Sequence, residues 1–304
     1  MAGMSSKCPR CRNIRSARSM IPAICLTNTC SKGRCLSMSN RLNMTPADPM
    51  HLLTAAQMAK FVTDGYLLLD AFIPQELNEL VYGEQIRHSQ GHTFWNESKH
   101  IRKVFELPEV QGIIQSLVGL EPVYDHSFQH IVPANYPIAQ DWHGDSIIDV
   151  RPHAFDIQLF YFSHDAPPEM GPTLILPGSH LRRINTFSLA RYKNIVGQRQ
   201  LAGKAGTLAI LHHGMWHCAQ PNYTDKTRYV FKLRLRPGQE QRGLFNLEGY
   251  RDPEVSRIIQ QGYQRWQGNE GRLDHMQRAK LWRYVTGDDS IDVSFEGALT
   301  RMGI

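Results

Sequence analysis

His143, Gly144 and Asp145 place an imidazole and a carboxylate two residues apart, and on an extended strand that spacing turns both side chains to one face. An imidazole beside a carboxylate makes two-thirds of a metal site. The third ligand must come from elsewhere in the chain, and His217, at the end of the apolar segment Thr207 to Trp216, is the best candidate. Two neutral imidazoles and one carboxylate that leave other positions open form the donor set of non-haem Fe(II) chemistry. His212 and His213 compete for the third role. An even spacing of four residues puts His213 and His217 on one face of an uninterrupted strand.

An isolated H-x-D triplet is a weak signal. Its order and company strengthen it. The β-prone run Phe155 to Phe162 follows, then the turn Pro167-Pro168-Glu169-Met170-Gly171-Pro172 and a short apolar run, Thr173 to Leu176. Next come Pro177-Gly178-Ser179-His180, the His217 segment with its turn ending at Asn222, and Arg228 at the start of a further strand. Upstream, a helix around Met58, Phe61 and Val62, the strand Tyr66 to Leu69 and a helix opening at Pro74 complete the series.

This series resembles the phytanoyl-CoA dioxygenase family of Fe(II)- and 2-oxoglutarate-dependent oxygenases. The resemblance implies a mainly β fold with flanking helices, a double-stranded β-helix of the jelly-roll, cupin-like kind. It implies His143, Asp145 and His217 as ligands of Fe(II), and it selects His217 over His213 by the turn that follows. It also implies that Arg228 binds 2-oxoglutarate. A planar guanidinium can hold a carboxylate through two parallel hydrogen bonds, although Arg234 and Arg236 on the same strand are cations of the same kind. Thr173 and Tyr161 are further candidates to line the co-substrate pocket. Dioxygen would take the remaining metal position, and 2-oxoglutarate would leave as succinate and CO2 while a small organic substrate is hydroxylated. Two departures stand out: Met170 precedes Gly171 where the family often has Asn, and Ala219 stands where a hydroxyl residue is common. Other readings of the motifs are a cupin-like metal isomerase, a dioxygenase that does without 2-oxoglutarate, and a catalytically silent binding module.

The elements that must position these residues lie within 304 residues, enough for one large domain. The net charge of +6 is unevenly spread: residues 1–47 hold eight basic residues and no acid, leaving 26 Lys and Arg against 28 Asp and Glu beyond. The body is therefore no nucleic-acid surface by charge, and no apolar run is long enough to span a membrane. The expected partner is a small molecule; oligomeric state has no signature in the sequence. Five of the six cysteines, Cys8, Cys11, Cys25, Cys30 and Cys35, also fall in the basic segment. Residues 1–49 are expected to be a disordered extension, a transit peptide or sequence upstream of a start at Met44 or Met50, with residues 50–304 forming the oxygenase domain. Cys218, alone in the body, fits a reducing compartment, cytoplasmic, or mitochondrial if the extension is a transit peptide. Gly91 to Lys103 and Ile184 to Gln200 are expected to be specificity loops, and helices over Pro253 to Trp266 and His275 to Val285 to pack outside the barrel.

Overall fold

The computed structural model describes residues 40–146, 154–182, 186–260, 268–294, 296–297 and 300. The cysteine-bearing segment before residue 40 lies outside them, and with it the expectations placed there.

The first α-helix, α1, spans Ala55–Asp64. Thr54 accepts from Gln57 N at 3.3 Å while Gln57 accepts from Thr54 N at 2.9 Å, a capping box that satisfies two orphan donors. The helix ends at Gly65, whose φ of 78° is cheap only for glycine and which turns the chain into β1, Tyr66–Leu69. Four helices follow: α2, Gln75–Gln85; α3, Phe94–Glu97; α4, Ile101–Glu106; and α5, Pro108–Val118. The expected specificity loop Gly91 to Lys103 is thus partly helical. Phe94, Trp95 and Ile101 are buried and anchor it to the core rather than leave it free for substrate.

The remaining elements are β2, Val123–Val132; β3, Ile157–Phe162; β4, Leu174–Ile175; α6, Thr186–Ala190; β5, Arg199–Gln200; β6, Thr207–His212; β7, His217–Cys218; β8, Arg228–Arg236; α7, Pro253–Gln260; and α8, Gly268–Thr286. Among the described residues two antiparallel sheets form, in the orders β1-β6-β3-β8-β2 and β5-β4-β7. They make the two sides of the double-stranded β-helix.

Both faces of the larger sheet are buried, for different reasons. Alternate residues Ile157, Leu159 and Tyr161 of β3, Leu208 and Ile210 of β6, and Phe231, Leu233 and Leu235 of β8 pack on one side with Phe61, Phe105, Ile114 and Leu281 from the helices. Their neighbours Phe160, Phe162, Ala209, Leu211 and Val230 pack on the other side with Ile175 of the smaller sheet and Leu201, just past β5. Phe231 shows the density of the helical side: its ring stacks on Trp95 at 5.8 Å, and truncation to Ala there would cost about 3–5 kcal/mol.

Three sequence expectations need correction. The folded body starts before Met50: Leu42 is buried, Leu42 N donates to Pro122 O at 3.0 Å, Tyr124 N donates to Asn40 O at 2.8 Å, and Ala47 N donates to Gln115 Oε1 at 2.9 Å. One apolar residue and an edge pairing leave no periodic pattern to read. Second, Thr207 to Trp216 is not one strand: β6 ends at His212, where Gly214 lets the chain turn close under His180 O. Third, α8 begins seven residues before His275. Its glycine-rich first turns carry no apolar stripe, but Arg182 pairs with Glu270, and Asp274 pairs with Arg278 at 3.0 Å. Residues 261–266 of the helix expected over Pro253 to Trp266 lie outside the described residues.

Candidate metal and co-substrate site

The segment that carries the H-x-D triplet is not a regular strand. It is an extended run stitched to the chain around β7. Asn222 N donates to Tyr136 O at 2.9 Å, Gln140 N to Ala219 O at 2.9 Å, His143 N to His217 O at 3.0 Å, and His217 N back to His143 O at 2.8 Å. Asn222 is fully buried and pins the next turn, donating to Pro133 O at 3.0 Å and Lys226 O at 2.7 Å while accepting from Thr224 N at 3.1 Å. Backbone pairing therefore brings the two histidines together before any side chain contributes.

His143 Nε2 lies 3.7 Å from Asp145 Oδ1, and His217 Nε2 lies 3.6 Å from Asp145 Oδ2. One donor atom from each residue falls within 4.8 Å of the others. The other ring nitrogens are committed: His143 Nδ1 meets Asp141 O at 2.8 Å and His217 Nδ1 meets Met215 O at 3.0 Å. A carbonyl can only accept, so Nδ1 carries the hydrogen and each Nε2 turns its lone pair toward the carboxylate. Burial pushes the His217 imidazole down to about 4, which keeps it neutral near pH 7. For Asp145, burial works upward, but the Lys232 ammonium and the hydrogen bonds from Lys232 and Gln158 outweigh it, and the carboxyl is held well below the usual carboxylate range. The donor set suits a divalent ion of the iron type, with ligands on one side only.

These residues line a cavity of about 250 Å³, whose walls include His126, His130, Phe160, Thr173, Ala219, Arg228 and Lys232. Arg228 is 2% exposed. Its Nη1 donates to Met170 O at 2.8 Å and to Gly171 O, and no carboxylate among the described residues pairs with it. Burial without a counter-charge pulls its pKa down to about 10. The carbonyls that catch it come from a turn that needs glycine: Gly171 has φ 67°, and a Cβ there would strike Pro221 O. A buried, fixed, unpaired guanidinium fits a carboxylate ligand.

Thr173 lies in this cavity, but Tyr161 does not, and its expected pocket role is corrected here. Tyr161 is fully buried on the helical side of β3, where its hydroxyl donates to Asn78 Oδ1 at 2.6 Å. Phe160, one residue earlier, faces the cavity, with its ring 6.3 Å from that of His217. His212 and His213 are also separated from the site chemistry: His212 stacks on Phe155 at 5.3 Å, and His213 Nε2 sits 3.1 Å from Arg234 Nη1. Gln158 and Lys232, both bonded to Asp145, escaped the sequence reading. Lys232 could have been found, because four residues along a strand from Arg228 is the same face.

The sequence profile of the phytanoyl-CoA dioxygenase (PhyH) family matches residues 48–230. No curated protein sequence matches the chain. Among solved structures, HygX from Streptomyces hygroscopicus with nickel and 2-oxoglutarate bound is similar at TM-score 0.53 and 14% identity, over 61% of this chain and 87% of that one. AviO1 from Streptomyces viridochromogenes Tue57 is similar at TM-score 0.52 and 14% identity, over 65% and 98%. SnoN, described as a non-heme alpha ketoglutarate dependent epimerase from nogalamycin biosynthesis, is similar at TM-score 0.50 and 15% identity, over 62% and 82%. These identities are low, and the likeness is one of fold. The profile match spans more than half of the sequence, and the chain belongs to the phytanoyl-CoA dioxygenase family.

Proposed function

We propose that the chain is an Fe(II)- and 2-oxoglutarate-dependent oxygenase that hydroxylates a small organic substrate. One observation carries the reading: two Nε2 lone pairs and a carboxylate converge in a cavity that also holds a buried guanidinium with no acidic partner among the described residues. HygX, of similar fold, has been solved with nickel and 2-oxoglutarate bound, which supports the same pairing of ion and co-substrate here.

Each residue has a defined task. The carbonyls of Asp141 and Met215 orient the two imidazoles, which together with Asp145 would hold the ion. Arg228 would take the distal carboxylate of 2-oxoglutarate, and Thr173 lines the same cavity. Phe160, Val230 and Ala219 give the pocket apolar walls that limit water. Bound there, Fe(II) and 2-oxoglutarate supply the oxidation of a C–H bond, with succinate and CO2 as co-products. Cys218 is buried and forms no disulfide among the described residues, which fits the expected reducing compartment.

A succinate-release assay with Fe(II), 2-oxoglutarate and a metabolite library tests the proposal. Succinate formation with a hydroxylated product supports it. Failure of the protein to consume 2-oxoglutarate with any substrate overturns it.

A further inference from the structure

Asp145 Oδ2 receives two hydrogen bonds, from Gln158 Nε2 at 2.7 Å and from Lys232 Nζ at 2.8 Å. No donor among the described residues reaches Oδ1 within hydrogen-bond distance; the nearest site group, His143 Nε2, lies 3.7 Å away. The two donors rise from neighbouring strands. In the β3–β8 pairing Gln158 stands opposite Arg234 and Phe160 opposite Lys232, so both donors enter from one wall. Lys232 is held in place: its side chain is 13% exposed and its ammonium lies 5.3 Å from the centre of the Phe160 ring.

A carboxylate whose Oδ2 is claimed twice keeps its free lone pairs on Oδ1. It is then disposed to give an ion one oxygen rather than two. A fixed ammonium on the other oxygen also opposes a divalent ion, because a monovalent and a divalent cation a few ångströms apart repel by more than about tenfold in binding even under strong screening. Iron that must keep positions open for two further ligands is better served by three firm donors than by a chelating carboxylate that fills a fourth place.

We propose that Lys232 is a positioning residue for the metal centre, a claim that rests on His143, Asp145 and His217 being the ligands. Lys232 and Gln158 reserve Asp145 Oδ2, the carboxylate offers the ion Oδ1, and the charge of Lys232 holds down the affinity of the site for divalent cations.

The test is a Co(II) titration of the full chain followed by visible absorption, for wild type, Lys232→Met, Lys232→Arg and Asp145→Ala. Lys232→Met should bind Co(II) about tenfold tighter, because the repulsion is gone, and its bands should weaken as the carboxylate closes on the ion with both oxygens and raises the coordination number. Lys232→Arg keeps donor and charge and should stay within about threefold of wild type. A lysine that merely supports the fold would give the opposite sign, weaker binding in Lys232→Met. Equal or weaker binding in Lys232→Met, with an unchanged spectrum, overturns the proposal. Wild-type affinity in Asp145→Ala would instead overturn the ligand assignment beneath it.

Discussion

His143 and His217, far apart in the chain, exchange both backbone hydrogen bonds of an antiparallel pair, His143 N to His217 O at 3.0 Å and His217 N to His143 O at 2.8 Å. The two imidazoles then stand side by side, with ring centres 4.4 Å apart. Main-chain pairing therefore sets the spacing of the two proposed ligands, and their approach does not depend on a metal ion to draw the segments together.

Replacement of a ligand should consequently remove metal binding without unfolding the protein. His143→Ala or His217→Ala should abolish Fe(II) binding, or weaken it by more than about a hundredfold, with a stability change of no more than about 1–2 kcal/mol. His213→Ala should keep the metal, since His213 faces Arg234 instead. Metal titration and urea denaturation of the three variants check this; loss of metal in His213→Ala with retention in His217→Ala would reverse the assignment.

The start of the folded body gives a second expectation. A chain beginning at Met50 lacks buried Leu42 and the hydrogen bonds from Thr45 and Ala47 to Gln111 and Gln115 of α5. It should be less stable than a chain beginning at Asn40 by about 2–4 kcal/mol, counting one buried leucine and two or three hydrogen bonds. Equal denaturation midpoints for the two would show that residues 40–49 contribute nothing.

How far the sequence was legible follows from what kind of signal each feature carries. His143, Asp145, His217 and Arg228 sit in short motifs that can be picked out of the sequence without coordinates. Tyr161 was misplaced because every residue of β3 is buried, so no alternation of polar and apolar residues marks which side faces the cavity. A one-residue error in parity exchanges Tyr161 for Phe160. Gln158 and Lys232 both hydrogen-bond to Asp145, but neither forms a motif with it; pairing across β3 and β8 is what brings them there.

Stability should fall on mild acidification. His180 is 1% exposed, and burial pushes its imidazole down to about 4 from an ordinary value of 6.5. Below about pH 6.5 the unfolded chain takes up a proton at this residue that the folded chain refuses until about pH 4, so the unfolded state gains. At pH 5 the loss from His180 is about 2 kcal/mol relative to pH 7. His212, also buried and held well below its ordinary value, acts in the same direction. His180→Gln should flatten the fall in urea-unfolding free energy between pH 7 and pH 5. Parallel curves for variant and wild type would place the acid sensitivity elsewhere.

The role of Arg228 is the most exposed part of the account, because it separates a 2-oxoglutarate enzyme from other metal proteins of the same fold. The decisive measurement is a 2-oxoglutarate titration of succinate release at saturating iron for wild type, Arg228→Lys and Arg228→Ala, with metal affinity measured alongside. A buried charged pair lost to alanine should raise the half-saturating concentration at least about tenfold, which takes only about 1.4 kcal/mol, while metal binding stays near wild type. Lysine keeps the charge without the planar fork and should recover part of the loss. The same half-saturating concentration in all three proteins would contradict the account and put the co-substrate carboxylate elsewhere.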